Sequence, residues 1–299
     1  MAFTAQDVAA LRAKTGCGMM DCKKALTDAE GNEEKAIELL REKGLAAAAK
    51  KSGRIAAEGL VTSVIKGDKG VVLEVNSETD FVAKNKDFIK FVADVADVIL
   101  ENEPADVDAL LPLTLDGQTI EEALREKILT IGENLKIRRF VILKGALVSY
   151  VHGEGKIGVL AQFDTDLAGN DAFTAYGKDV CMQIAAAYPQ FLDRSEVSAD
   201  TLEKEREILL AQAINEGKPK EIAEKMVNGR ISKYYSEFCL LEQPFVKEPK
   251  ITVQNYTDTT AKELGGSIKI AQFVRFEKGE GLEKREDDFA AEVAAMTGK

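Results

Sequence analysis

Three features of this chain carry residue types and spacings that could do chemistry. Asp80 and Asp166 recur 86 residues apart, and two carboxylates can serve as general acid and general base on either side of a reacting bond. His152, the single histidine, could take up or release a proton near neutral pH. Gly153-Glu154-Gly155-Lys156-Ile157-Gly158 satisfies the GxGxxG spacing by which a glycine-rich turn cradles a dinucleotide's phosphates. Each has a plainer explanation. The aspartates lie in an internal repeat, so duplication accounts for their spacing, and an Asp ahead of a helical segment commonly caps it. His152 has no identifiable nucleophile beside it. The glycine run opens the alternating strand pattern of Ile157, Val159 and Ala161 instead of a helix, so these glycines are expected to close a hairpin.

Metal and cofactor chemistry finds little support. One histidine cannot build a multi-histidine site, and Cys17, Cys22, Cys181 and Cys239 show no close CxxC spacing, so they are expected to be reduced packing residues. No cofactor, metal or catalytic residue is expected. Forty basic and fifty-one acidic residues give a net charge of −11, a surface that on average repels nucleic-acid phosphate. Six tyrosines, thirteen phenylalanines and no tryptophan offer few platforms for stacking bases. The expectation is a protein partner, with no direct nucleic-acid contact. Apolar runs end well short of the roughly 20 residues of a membrane span, and the first residues lack a secretory layout, so no membrane association and a cytoplasmic location are expected.

The elements that must position these residues follow from periodicity. Val8 and Leu11, then Met19, Met20, Ala25 and Leu26, then Ala36, Ile37, Leu39 and Leu40 fall at helical spacing, interrupted by Thr15-Gly16 and Gly31-Asn32. This predicts a three-helix bundle over 1–54, with Lys50–Arg54 as a linker. Gly59 to Ile65 and Val71 to Val75 flank a glycine-containing turn and predict a β-hairpin. Phe88, Phe91, Val92, Val95, Val98 and Ile99 then predict an amphipathic helix, which leaves Asp80 at the junction between a sheet edge and that helix. A further helix is expected over Ile120–Ile131. Gly59, Gly67, Thr79 and Asp80 have counterparts 86 residues later in Gly145, Gly153, Thr165 and Asp166, while Val71-Val72-Leu73 pairs with Gly158-Val159-Leu160 after a one-residue slip. The fold class is therefore α+β, with a duplicated core of antiparallel sheets over 55–144 and over 145–197 with 238–279. The charged stretch 198–237 predicts a helical hairpin about Gly217-Lys218-Pro219, with Leu202, Ile208, Leu209, Ala213, Ile222, Met226, Val227 and Ile231 as its apolar stripes. Phe289, Val293 and Met296 suggest a short closing helix in a module over 280–299. Phe81 can be a core anchor or an exposed wedge. Met19 and Met20 lie about 100° apart on a helix, so that one can enter the bundle while the other faces a partner.

Thr79-Asp80-Phe81-Val82-Ala83-Lys84-Asn85 and Thr15-Gly16-Cys17-Gly18-Met19-Met20-Asp21-Cys22-Lys23-Lys24 resemble segments of the bacterial elongation factor Ts family. So do Gly132-Glu133-Asn134-Leu135-Lys136-Ile137-Arg138-Arg139, Gly217-Lys218-Pro219-Lys220-Glu221-Ile222-Ala223, Gln243-Pro244-Phe245-Val246 and Arg275-Phe276, in the family's order. The resemblance covers nearly the whole chain. It implies a ubiquitin-associated-like bundle, a coiled-coil insertion, a C-terminal helical module and a guanine nucleotide exchange activity toward elongation factor Tu. By the same resemblance the partner-binding residues are Thr79, Asp80, Phe81 and Val82 at the core junction, His152 on the second core copy, and Arg12, Met19, Met20 and Lys23 on the bundle. Asp80 and Phe81 correspond to the family's intruding pair. The second copy has Leu167 where the first has Phe81 and lacks Val82-Ala83-Lys84, so Asp166 and Leu167 receive no such role.

Overall fold

The structure, a computed structural model, describes residues 3–283. The bundle opens with helix α1 (Ala5–Thr15), whose first turn is closed by reciprocal bonds between Thr4 and Asp7, and which ends at Gly16 in the left-handed region. Helix α2 (Met19–Asp28) follows, and Asn32 starts α3 (Glu33–Lys51) by accepting from the Lys35 amide at 2.9 Å. Val8, Leu11, Cys22, Ala25, Leu26, Ala36 and Leu40 fill the space between the three. Helix α3 runs into the expected linker because its last turn is held: Lys51 Nζ donates to the Ile128 carbonyl at 3.2 Å.

Strands β1 (Glu58–Lys66) and β2 (Lys69–Ser77) form the expected hairpin. One helical turn, α4 (Asp80–Ala83), leads to α5 (Lys86–Asn102), which Asn85 caps through the amides of Asp87 and Phe88. A single turn α6 (Val107–Leu110) and a small ribbon of β3 (Thr114–Leu115) and β4 (Gln118–Thr119) precede α7 (Ile120–Ile131), whose bounds are those expected. Strand β5 (Lys136–Lys144) pairs antiparallel with β2. The order β1-β2-β5 makes β2 the central strand, so the Asp80 segment leaves the middle of the sheet and not its edge.

The second copy repeats this plan. Strands β6 (Ala146–His152) and β7 (Ile157–Thr165) form its hairpin, and α8 (Asp171–Ala187) is capped by Asn170. The helical hairpin α9 (Ala199–Asn215) and α10 (Lys220–Phe238) intervenes. The ribbon β8 (Pro244–Phe245) with β9 (Glu248–Thr252), helix α11 (Val253–Leu264) and strand β10 (Ile268–Glu277) complete it, in the order β10-β7-β6. Helices α7 and α11 start at capping threonines, Thr119 and Thr252, and end at left-handed glycines, Gly132 and Gly265.

Register corrects the repeat alignment. Lys66 pairs with Lys69 across a two-residue turn, whereas His152 pairs with Ile157 across four residues. Beyond the turn the copies are therefore offset by two further residues, not one, and Val75 and Phe163 stand opposite Ile137 and Ile270. Asp166 thus occupies the position of Glu78, not of Asp80. Side-chain bonding agrees: Glu78 accepts from the Asn134 amide at 2.6 Å and Asp166 from the Ser267 amide at 2.7 Å. Leu167 falls at Thr79, and the first copy holds three additional residues before its capping Asn85.

Alternation along the central strands sorts the layers. Val71, Leu73 and Val75 face α5, and Val159, Ala161 and Phe163 face α8. Val72 and Leu160 face each other between the sheets, with Val61, Leu143 and Phe276. The order is helix, sheet, sheet, helix. Gly158 permits the close sheet approach, since a Cβ there would stand 2.5 Å from Val61 Cγ1. The helical hairpin has a narrower apolar seam than expected: Ala213, Ala223, Val227 and Ile231 are buried, while Ile208 and Ile222 are exposed because two helices alone bury only one stripe each. No helix among the described residues is long and apolar enough to cross a membrane. The closing helix suggested by Phe289, Val293 and Met296 lies outside the described residues.

Candidate functional site

Phe81 is 79% exposed, on a helical turn only four residues long. Its neighbours fix it from both sides. Val82 turns inward, 7% exposed, into the core of the first sheet, so among the residues expected at a partner surface it supports the surface from beneath. Asp80 is exposed, with Lys84 Nζ 3.4 Å away one helical turn later. Thr79 is half-buried, and its hydroxyl donates to Glu133 Oε1 at 2.6 Å. Glu133 Oε2 also accepts from the amides of Glu78 and Thr79, both at 3.0 Å. Glu133 stands in the Gly132-Glu133-Asn134 run, which sequence reasoning noticed without giving the carboxylate a task.

The bundle lies beside this turn. Gly16, at the end of α1, shares a groove of about 300 Å³ with Phe81, Val82, Asn85 and Thr130. Immediately after it come Met19, 44% exposed, and Met20, 73% exposed. Both face outward, whereas one of the pair was free to enter the core; Cys22, Ala25 and Leu26 occupy that face of α2 instead. Arg12 and Lys23 are exposed on the same bundle.

His152 ends β6, exposed, with Nδ1 2.9 Å from the Tyr150 hydroxyl. The turn after it docks on the first sheet, because the Val61 amide donates to the Gly155 carbonyl at 2.8 Å and Gly155 packs on Leu60. Leu60 stands opposite Val75, a few residues before Asp80. The His152 turn therefore lies at the end of the first sheet from which the Phe81 turn departs. Gly153, Glu154 and Gly155 all have positive φ and join two strands, so this glycine run opens no helix for a phosphate.

The second copy presents no matching surface. Asp166 accepts from the Ser267 amide and hydroxyl, which hold its carboxyl below the usual range for aspartate, and Leu167 packs against the second core. Asp80 and Asp166 are not equivalent positions, so the repeat gives no reason to pair them as acid and base. Among the described residues no group of three or more His, Cys, Asp or Glu side chains is placed to hold a metal ion. What the Phe81 turn and the bundle offer is contact chemistry: an exposed ring, two thioethers and charges of both signs.

The sequence model of a family described as Elongation factor TS matches residues 78–280. The chain is 51% identical over 302 residues to elongation factor Ts of Syntrophotalea carbinolica, covering 99% of this chain and all of the relative. It is 53% identical over 303 residues to that of Clostridium botulinum (strain Alaska E43 / Type E3), with the same coverage, and 50% identical over 309 residues to that of Trichlorobacter lovleyi, covering 100% of this chain and 99% of the relative. Likeness at this level from end to end, with Phe81 and Glu133 inside the matched segment, means that the chain belongs to the elongation factor Ts family.

Proposed function

We propose that this chain is a guanine nucleotide exchange factor: it binds elongation factor Tu carrying GDP, opens the nucleotide site, and lets GTP enter during translation elongation in the cytoplasm. The observation that carries this reading is Phe81, a large apolar side chain left almost wholly in solvent on a short turn whose own neighbours are firmly held. Burying such a ring on a partner contributes about 1.5–3 kcal/mol.

Exchange requires no bond to be made or broken by the factor. It requires the emptied partner to be bound more tightly than the loaded one, and linkage then obliges nucleotide to weaken the factor's binding by the same ratio. In this proposal Asp80 brings negative charge toward a region already holding phosphates and magnesium, and Phe81 displaces the elements that hold the metal's ligands. Inverting a 1:99 equilibrium needs about 5.5 kcal/mol of differential binding, which exceeds what one phenylalanine supplies. Arg12, Met19, Met20 and Lys23 on a ubiquitin-associated-like bundle, His152 on the second core copy, and the coiled-coil hairpin over 198–237 are therefore proposed to share the work, each module meeting the same partner.

The test mixes the chain with elongation factor Tu carrying a fluorescent GDP analogue and follows release by stopped flow. Release accelerated by the chain supports the proposal. A rate equal to spontaneous release excludes it.

A further inference from the structure

The sequence motif around Glu133 has no place in the exchange scheme above, although its carboxylate touches the segment that carries Phe81. Three donors converge on it: the amides of Glu78 and Thr79 on Oε2 and the Thr79 hydroxyl on Oε1. The last of these groups is two residues from Phe81. Glu133 lies in the turn between α7 and β5, directly after the left-handed Gly132, so it approaches from an element that α4 does not belong to. Asn134 adds a bond from its amide to Glu78, and its side chain reaches the Arg54 carbonyl at 2.8 Å.

The second copy shows the same junction without the glutamate. Gly265 matches Gly132, and the next residue is Gly266 in place of Glu133. Nothing projects from Gly266, and the chain closes over it: a Cβ there would stand 2.7 Å from Asp166 Oδ1 and 2.7 Å from Leu167 Cγ. Leu167, at the position of Thr79, joins the second core. In the first copy the glutamate fills that space, holds the Thr79 amide and hydroxyl, and the three additional residues leave the sheet as a projecting turn. A carboxylate accepting several N–H and O–H bonds makes the strong, charge-assisted kind, which suits a rigid support.

We infer that Glu133 is a positioning residue: it fixes the backbone of Glu78 and Thr79 and fills the space over which that loop would fold, so that Phe81 is presented outward in one conformation. The inference rests on the proposed exchange activity for its consequence, though not for its geometry. A preorganised wedge reaches its partner without first being ordered. Loss of the clamp should therefore resemble loss of the ring.

The experiment compares wild type, Phe81→Ala, Glu133→Ala, Glu133→Gln and the Phe81→Ala/Glu133→Ala double variant in the GDP-release assay, with melting curves for each. If burial of the ring is what is lost, Phe81→Ala and Glu133→Ala should each slow release about ten- to hundredfold. The double variant should be no slower than either single variant, because both act through one element. Glu133→Gln keeps an acceptor for both amides and can donate to the Thr79 hydroxyl, so it should stay within about threefold of wild type. Amide exchange at Glu78 and Thr79 should quicken in Glu133→Ala, an outcome readable whether or not release is accelerated. Should Glu133→Ala fail to fold, Thr79→Val removes only the hydroxyl bond and should slow release in the same direction. Wild-type rates in Glu133→Ala, multiplying effects in the double variant, or unchanged exchange at both amides would overturn the inference. If wild type itself does not accelerate release, the exchange reading fails, and amide exchange alone decides the clamp.

Discussion

An aromatic ring in solvent and a valine in the core sit side by side at Phe81 and Val82, and they separate binding from stability. Phe81→Ala removes almost nothing from the interior, so its melting temperature should match wild type while GDP release slows; a drop of several degrees would mean that the ring packs internally. Val82→Ala should instead lower stability, by about 1.5 kcal/mol for two buried methyl groups in urea unfolding; an unchanged unfolding midpoint would mean that the side chain does not pack in the core. His152→Ala should slow release less than Phe81→Ala, since the imidazole is exposed and bonded only to Tyr150. Asp166 gives a pH signature. The Ser267 amide and then its hydroxyl lower its pKa. This contribution is present above the unfolded aspartate value of about 3.9 and is lost as pH falls through the lower folded value. A carboxyl titration by NMR should place the Asp166 midpoint below that of an ordinary aspartate; a midpoint at or above it would contradict the bonding described. At this scale the candidate residues were legible in sequence, but their orientation was not. Spacing could not show that Met19 and Met20 both face out, since that depends on Cys22, Ala25 and Leu26 filling α2's inner face. Matching Asp166 to Asp80 failed because the second hairpin turn is two residues longer, which only strand register reveals.

Helices and strands were easier to read than their seating. The bounds expected for α7 are set in the structure by a threonine cap at one end and a left-handed glycine at the other, and both hairpins followed from alternation between glycine turns. The second half of the repeat, α11 and β10 matching α7 and β5, was hidden by the inserted helical hairpin, which shifts the spacing between equivalents. That hairpin is fixed at its base by a buried amide pair: Gln183 Nε2 donates to Gln243 Oε1 at 3.0 Å, and Gln243 Nε2 donates to the Glu237 carbonyl at 2.7 Å and the Ala187 carbonyl at 3.3 Å. Gln183 Oε1 accepts from the Val246 amide at 2.7 Å. Both side chains are buried, so Gln243→Leu would strand the Glu237 and Ala187 carbonyls, while Gln183 Nε2 keeps the Pro244 carbonyl at 3.3 Å, costing about 1–3 kcal/mol for each group left unpaired. Thermal unfolding should show a marked loss; unchanged stability would mean that water or a neighbour replaces these bonds.

Across the whole molecule, the two copies are joined by apolar contact between sheets and by one buried carboxylate. Glu74 is fully buried, with Arg138 Nη1 at 2.9 Å and Arg139 Nε at 2.6 Å, and it accepts from the Gly279 amide at 2.8 Å. Gly279 follows β10, so this side chain of the first sheet fastens the end of the second. Glu74→Ala removes the carboxylate that Arg138 and Arg139 share and leaves the Gly279 amide without its acceptor, while Arg139 keeps Glu280 Oε2 at 3.3 Å; the loss should be about 1–3 kcal/mol, and urea unfolding with wild-type stability would refute the joint. This fastening ties the second core copy, with its His152 turn, to the first, which carries the Phe81 turn, as the proposed binding through several separate patches requires. The central claim is that those patches together prefer an empty GTPase. Calorimetric titration of the chain into nucleotide-free and into GDP-bound elongation factor Tu tests it most directly: the account predicts at least about tenfold tighter binding to the empty form, and equal affinity for the two forms would contradict it.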